Sequence, residues 1–521
     1  MLGLVSALLL LPQLAMRELT NTEALYGSVA RKAVESGNYL NTMAYNRQLD
    51  DGLLYPWMVN LFGVLGINEF TLRLPSILGL GIMIYIAAYI TYKYAGRQSA
   101  IVAGTCMLSS IAAVKMGTRG EENILGAAMV SAAWLCWYQY SRSQKKWFKA
   151  WFYSLLLVSA AIYFMGIHSV FLFYLPLFFL KKPTNVRKRL FHPPHFKALG
   201  VVFLLHFLIY LAYTNLIDKN AQTFSLAFPA GATDHYLWDL FSFPFEAVLW
   251  LMPWTFFSWP AFCGSFTAME KEPQLFHFLR TITITLFICF WFIPDSDSMT
   301  LLPVLLPISI MTGLHYQILV RRYHVQIRKL IRFTLAVFIL INFAWLIFFG
   351  LNYSGMLNIT ISQIWTIINI FISLLAILLS VFLLLKGREY PVWLKIMCTV
   401  VIGHWCIITY KSIPFDRKST QKEVATHLTE KIPSETSIYN FTGKSHFAIM
   451  FYTHHKVIQV SQEMDNTQKK LPEIIYVIAG DKKPFEITKD PAFYKWEKLS
   501  ETVINKDGDK FRAWKGIRRT L

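Results

Sequence analysis

The residues whose chemistry stands out are charged side chains and histidines set between apolar runs. They are Glu23, Arg31, Arg47, Asp50, Asp51, Arg73, Lys115, Arg119, Glu121, Glu122, His168, Asp234, His235, Asp295 and Asp297. Ionisable groups are costly in or beside a bilayer, so a set gathered on one face suggests a site. If the stretches converge, they form a polar cavity at the lipid boundary, with carboxylates for acid–base work and cations for a phosphate. Such a cavity suits transfer from a phosphate-bearing lipid: the cations hold the leaving phosphate, and a carboxylate deprotonates the acceptor hydroxyl. Taken singly, each residue could as well solvate a loop end. Glu23 is the exception, because it opens an amphipathic helix that would hold it near the membrane surface.

Other residues carry weaker signals. Tyr26, Tyr55, Trp57, Tyr236 and Trp238 could stack on a sugar or line a lipid groove, although Trp and Tyr near span ends ordinarily form interface belts. Asp50, Asp51 and His235 could hold a divalent cation, but a carboxylate pair and one distant histidine make a poor metal signature. No metal site is therefore assigned, and a divalent ion is the one cofactor the pattern admits. His454 and His455 read as surface or packing residues on a strand, and His206, inside an apolar run, as making one helix–helix hydrogen bond. The six cysteines all lie in apolar runs with no C-x-x-C pair, which argues against a disulfide framework or zinc knuckle.

The elements that must position these residues follow from composition. Of 521 residues, 55% are hydrophobic and 16% charged, against roughly a quarter charged in soluble proteins, and mean hydropathy is +0.41. Apolar runs fall at 1–16, 75–95, 98–116, 123–141, 148–167, 169–180, 198–216, 245–265, 274–293, 299–320, 329–350, 363–385 and 391–410. The expectation is an all-α polytopic bundle of about thirteen transmembrane helices. Run 169–180 is too short to cross upright and should pair tightly with its predecessor. The opening run lacks a basic start and a cleavage site, so a cleaved signal peptide is disfavoured.

The net charge of +19 would suggest nucleic acid on a soluble protein. Here Lys and Arg sit in alternate short loops, such as Arg142–Lys149, Lys181–Lys197 and Arg321–Lys329, whereas the intervening loops are acidic or mixed; the gap around Glu270, Lys271 and Glu272 is the weak case. That alternation orients the chain with its N-terminus cytoplasmic and its acidic loops and C-terminal tail on the other side, so nucleic acid is not the expected partner.

Two domains are expected: residues 1–411 as the membrane domain, including an outer loop 17–73, and 412–521 as a soluble extracytoplasmic α/β domain. In the loop, Thr22–Ser36 reads as an amphipathic helix closed by Gly37, with a second over Leu53–Leu65. Segment Ile217–Pro244 is polar. In the tail, Ser437–Phe441, Ala448–Tyr452, Lys456–Val460 and Ile474–Ala479 read as strands and Lys418–Glu430 as a helix.

A family resemblance joins these stretches. T-E-A-L-Y at 22–26, S-G-N-Y at 36–39 and F-G-V-L-G-I-N-E-F-T-L-R-L-P-S at 62–76 resemble the opening of the GT-C membrane glycosyltransferases of family 39 type, which include the lipid A aminoarabinose transferase and the protein O-mannosyltransferases. Their pattern runs D-E-A-R-Y, S-G-D-W, G-x-x-E-x-x-x-R-L-P-S. R-G-E-E-N at 119–123, M-P-W at 252–254, L-L-P-V-L-L-P at 301–307 and F-Y at 451–452 resemble later motifs in the same order. The resemblance implies a polyprenyl-phosphate-linked sugar donor, a lipid, glycan or protein acceptor, reaction at the outer face of the plasma (inner) membrane, and inversion at the sugar carbon. By position it makes Glu23 and Glu122 the catalytic acids. The expected donor-phosphate residues are Arg47, Arg73, Lys115, Arg119 and His168. Tyr26, Asp50, Asp51, Tyr55, Asp234 and His235 fall to the acceptor or sugar pocket. Some members coordinate a divalent metal at this face.

The sequence departs from that pattern in places. The first acid of D-E is Thr22 and the following arginine is Leu25. K-P-P-L becomes D-D-G-L at 50–53 and T-K-G becomes F-M-G at 164–166, so two expected phosphate-binding lysines are replaced. Mannosyltransferases of this class often carry an aspartate in that segment, which Asp50 and Asp51 match. A transporter or flippase of a lipid-linked glycan is the main alternative, but matched repeats and broken helices at mid-depth are not visible. A GT-C scaffold without catalysis is the other alternative.

Overall fold

The computed structural model describes residues 10–14, 18–39, 43–44, 47–48, 54–142, 146–180, 186–216, 236–263, 270, 272–293, 302–354, 356, 363–386, 389–412, 421–433, 436–440, 447–453, 455, 457–459, 474–479, 494–498, 503–504 and 510–518. The chain divides into two compact units, Met1–Leu14, Pro75–Asn215 and Phe224–Pro414 in one and Ala15–Leu74, Leu216–Thr223 and Phe415–Leu521 in the other. Residues 15–74 thus group with the C-terminal residues 415–521.

The first unit is a helical bundle. Among the described residues five helices are long and apolar enough to cross a membrane: Glu69–Ala95, Trp147–Met165, Pro273–Phe292, Leu302–Tyr353 and Thr366–Lys386. Arg97–Ser109 and Ile111–Gly117, bent by 59°, make a sixth if counted as one span. Asn123–Ser141 coincides with its predicted run. Leu302–Tyr353 covers the runs 299–320 and 329–350 in one element, with non-helical dihedrals at Tyr323. Its 52 residues would reach roughly 78 Å at 1.5 Å per residue, far beyond an apolar layer of about 30 Å, so the break at Tyr323 separates two spans.

Run 245–265 behaves differently from expectation. The helix begins at Tyr236, inside the segment expected to be polar, and stops at Trp250. A turn at Leu251–Trp254 follows, where the Met252 carbonyl accepts from the Ile111 N–H at 3.1 Å. Trp254 is buried and donates its indole N–H to Ser109 Oγ at 2.8 Å, so the M-P-W motif braces the break at Ser110 in the bent pair. His168–Phe179 packs on Trp147–Met165, as its length required.

The bundle core is aromatic, with Trp134, Trp137 and Trp151 fully buried and Trp137 stacked on Phe278. Gly126 permits the tightest approach: a β-carbon there would stand 2.2 Å from Met165 Cγ, which locks the start of Asn123–Ser141 to the end of Trp147–Met165. His206 makes two side-chain bonds where one was expected, to Ser159 Oγ and to the Tyr163 hydroxyl. The ambiguous charge gap resolves as pairing: Glu270 meets buried His315, and Glu272 lies 3.6 Å from Arg142.

In the second unit, Asn21–Ser36 forms as predicted. Thr20 and Glu23 make a reciprocal capping box, and Gly37 ends the helix at φ 66°, a left-handed conformation suited to glycine. Ala24, Tyr26, Val29, Ala30 and Ala33 are buried, and Lys32 and Glu35 exposed. The buried face packs against Leu54–Leu61 and Phe447–Thr453 rather than standing free for a lipid surface.

The tail carries a six-stranded sheet in which Val457–Gln459, Ile438–Asn440 and Ile474–Ala479 run parallel, followed by antiparallel Lys510–Arg518 and Tyr494–Lys498; Val503–Ile504 pairs at the end of Lys510–Arg518. Three predicted strands and the helix, here Gln421–Lys431, are present. Ala448–Tyr452 is instead within the helix Phe447–Thr453, nearly all of it buried. A short run apolar on every side suits a buried helix as well as a buried strand, and alternation alone does not separate them.

Candidate functional site

The predicted site residues fall in both compact units, and each set is described by itself. In the unit containing the first outer loop, helix Glu69–Ala95 starts at Asn68, whose Oδ1 accepts from the Phe70 and Thr71 N–H groups, while Thr71 Oγ1 accepts from the Asn68 N–H. This cap sets the phase that turns Arg73 inward. Arg73 and Glu23 are both fully buried. Arg73 Nε donates to Glu23 Oε1 at 2.9 Å, and Nη2 donates to Glu23 Oε2 at 3.1 Å and to the Glu18 carbonyl at 2.9 Å. Glu23 Oε2 also accepts from the Thr20 N–H at 2.7 Å.

Glu23, expected near the membrane surface as a catalytic acid, has both oxygens engaged by a guanidinium and a helix cap and is buried. A bidentate Arg–carboxylate pair is strong and directional, so Glu23 ties Arg73 to helix Asn21–Ser36. Arg73, expected among the donor-phosphate residues, spends Nε and Nη2 on Glu23 and the Glu18 carbonyl. Tyr26 and Tyr55, expected in the acceptor or sugar pocket, lie in the same unit. Both are buried, with ring centroids 5.2 Å apart, and the Tyr55 hydroxyl donates to the Leu72 carbonyl at 2.7 Å. They are core residues, because Tyr26 falls one turn after Glu23 on the buried face.

The F-Y pair completes this unit. Arg31 lies 4.0 Å over the Phe451 ring and donates to the Phe451 carbonyl at 3.0 Å; the Tyr452 hydroxyl accepts from the Leu19 N–H at 3.1 Å. Burial pushes the Tyr452 phenol above its ordinary range. Lys422 Nζ lies 2.6 Å from Glu69 Oε1. Sequence reading noted F-Y only as a family match, and the contacts behind it span more than 400 residues.

In the bundle, Lys115, Arg119, Glu121, Glu122 and His168 lie at one end. Ile111–Gly117 finishes there, Asn123–Ser141 starts there, and Trp147–Met165, held by Gly126 against Met165, ends just before His168 opens the next helix. Lys115 Nζ is 4.2 Å above the Trp250 ring. Arg119 Nη1 is 3.8 Å from Glu121 Oε1, and Ser76 Oγ donates to the Glu121 carbonyl at 2.8 Å. Glu122 caps the start of Asn123–Ser141 through its backbone, its carbonyl accepting from Leu125 and Gly126. Its carboxylate therefore sits at a helix N-terminus, where negative charge is favoured. Glu122 and His168 are half-buried, as are Lys115 and Arg119. Two cation-bearing groups and two carboxylates thus lie within one short turn. Trp250 and Ser76 were missed as supports. Ser76 was visible only as the last letter of R-L-P-S, and no spacing rule could pair Trp250 with Lys115 across 135 residues.

Asp50, Asp51, Asp234 and His235 lie outside the described residues, and Arg47 is described only as backbone in the short strand Arg47–Gln48. Among the described residues, no three His, Cys, Asp or Glu side chains gather as metal ligands; Asp50 and His235, the two weak metal candidates, are not among them. His455 is buried after the helix Phe447–Thr453, not on a strand.

Residues 50–213 match the model of the dolichyl-phosphate-mannose-protein mannosyltransferase family. No curated protein matches the sequence. Among solved structures, ArnT from Cupriavidus metallidurans bound to undecaprenyl phosphate is similar with a TM-score of 0.69 and 15% identity, over 99% of this chain and 97% of that one. The same protein in the apo state gives 0.68 and 14%, with the same coverage. The chain therefore has the ArnT fold from end to end, the GT-C architecture its motifs led one to expect, and its residues 50–213 carry the sequence pattern of the dolichyl-phosphate-mannose-protein mannosyltransferases.

Proposed function

We propose that this protein is an integral membrane glycosyltransferase that moves a sugar from a polyprenyl-phosphate-linked donor to a hydroxyl of a lipid, glycan or protein acceptor at the outer face of the membrane. The observation that carries the reading is the mannosyltransferase family match over 50–213, which contains Lys115, Arg119, Glu121, Glu122 and His168. Similarity to an ArnT crystallised with undecaprenyl phosphate supports a polyprenyl phosphate as the donor carrier.

In this reading Lys115, Arg119 and His168 hold the donor phosphate, with Arg47 as a further cation. Glu122 is the base. It takes the proton of the acceptor hydroxyl as that oxygen forms its bond to the anomeric carbon. The carbon–oxygen bond to phosphate breaks on the opposite side, and its electron pair leaves with the polyprenyl phosphate, so the sugar inverts. Cations near the leaving oxygens stabilise the charge that develops there. Glu23 and Arg73 are assigned to holding their own helices together rather than to the reaction. Asp50, Asp51, Asp234 and His235 are proposed for the sugar and acceptor. The acidic loops and tail face outward and the N-terminus is cytoplasmic, as the alternation of loop charge implies.

Purified protein given radiolabelled polyprenyl-phosphate sugars and candidate acceptors tests the proposal. Sugar transfer with release of polyprenyl phosphate, slowed about 10²–10⁴-fold by Glu122→Gln while the fold persists, is expected. Lipid crossing a vesicle membrane with no sugar released would replace the transferase reading with transport.

A further inference from the structure

One recess in the bundle gathers three cations that the transfer reaction does not use. Arg328, Ile331, Arg332 and Leu335 form one face of the helix beyond Tyr323, at the i, i+3, i+4, i+7 spacing. Leu383 and Leu384 come from the last turn of Gln363–Lys386, and Lys395 from the first turns of Val392–Ser412. None of the described residues that line the recess is acidic. Lys395 is 6% exposed, whereas Arg328 and Arg332 are open at the rim.

This place is far from the proposed reaction. Ser76 meets Glu121 near one end of helix Glu69–Ala95, and Gln317 donates to the Ala95 carbonyl at the other; the rise from Ser76 to Ala95 along the helix is roughly 28 Å. Tyr316, next to Gln317, hydrogen-bonds the backbone of Trp393 and shares one apolar cluster with Ile331, Leu335, Leu383 and Ile396. The recess therefore belongs to the Ala95 end.

Three positive charges around one apolar hollow repel one another, and more strongly as water is excluded. An anion held among the three cations offsets that repulsion. Around the recess Leu330, Phe333 and Leu385 are 47%, 69% and 78% exposed, the outward apolar surface that acyl chains cover. A basic pocket between spans at membrane level fits a lipid headgroup.

We propose that Arg328, Arg332 and Lys395 form a binding site for a phosphate-bearing anion, the headgroup of an anionic phospholipid, at the end of the bundle opposite Glu121. The proposal is independent of the transferase reading. Arg328 and Arg332 hold the phosphate oxygens at the rim, Lys395 closes the hollow from below, and the leucines take the first carbons of the chains.

The test is native mass spectrometry and thermal unfolding of the full chain in detergent, titrated with phosphatidylglycerol, phosphatidylcholine or inorganic phosphate. Phosphatidylglycerol should be retained and raise the melting temperature, with phosphatidylcholine much weaker. Arg328→Gln with Arg332→Gln should weaken retention about thirtyfold, at about 1 kcal/mol per basic residue near a membrane surface, and Lys395→Gln should weaken it further. Phosphate that competes with the lipid but stabilises little alone assigns the site to the headgroup; phosphate that stabilises equally alone assigns it to a free anion. Equal retention of both lipids, or phosphatidylglycerol retention unchanged in the exposed arginine pair, overturns the proposal whether or not Lys395→Gln folds.

Discussion

Gly27 lies so close to Phe451 that a β-carbon on it would stand 2.7 Å from the ring edge, and 2.8 Å from a Leu72 methyl. The ring cannot swing away freely, because Arg31 covers its face and binds its carbonyl. Gly27→Ala should therefore destabilise this unit by about 1–3 kcal/mol through overpacking. Phe451→Ala should cost about 3–5 kcal/mol, since it empties a buried site. Thermal unfolding followed by limited proteolysis of the tail checks both, and the tail should become the first segment cut.

Glu23 and Arg73 make the second test. If their role is structural, Glu23→Gln or Arg73→Met alone should lower stability by about 3–5 kcal/mol, because each leaves a buried charge uncompensated. The double variant Glu23→Leu with Arg73→Met should recover a large part of that loss. A double-mutant cycle on melting temperature measures it. Recovery of stability together with measurable sugar transfer would exclude Glu23 as the base.

The contrast between these two predictions shows what was legible in the sequence. Helix Asn21–Ser36 was readable because its cap, its stop at Gly37 and its apolar spacing are all local. Spans were readable because lipid imposes a length. The pairing of Glu23 was not, because its partner Arg73 lies fifty residues away and an acid at the head of an amphipathic helix looks the same whether it faces water or an arginine. The helix at Ala448–Tyr452 was misread for a related reason: five apolar residues carry no period. Trp254 and Ser76 were quoted as motif letters, but their work, bracing the break at Ser110 and holding the Glu121 carbonyl, exists only in three dimensions.

Tyr452 gives a pH dependence. Burial raises its proton affinity above that of an exposed tyrosine, and the nearby Glu69 and Glu18 add to the effect. The folded state thus holds this proton more tightly than the unfolded chain, which loses it near pH 10. The associated stability is fully present below about pH 10 and declines as pH rises beyond it. Melting temperature measured between neutral and strongly alkaline pH should fall less steeply in Tyr452→Phe than in the parent. The variant should start lower, because the bond from Leu19 is lost.

Lys115 and Glu122 separate binding from chemistry in the proposed reaction. Glu122→Gln keeps size and backbone capping but cannot accept a proton, so kcat should fall about 10²–10⁴-fold with donor KM little changed. Trp250→Leu leaves every proposed reacting group in place and removes only the ring beneath Lys115. A cation–π contact contributes about 0.5–2 kcal/mol, so donor KM should rise about two- to thirtyfold with kcat largely kept. Steady-state kinetics with a polyprenyl-phosphate sugar distinguish the two patterns. If Trp250→Leu lowered kcat and Glu122→Gln raised only KM, the assignments of base and phosphate ligand at this end of the bundle would have to be exchanged or abandoned.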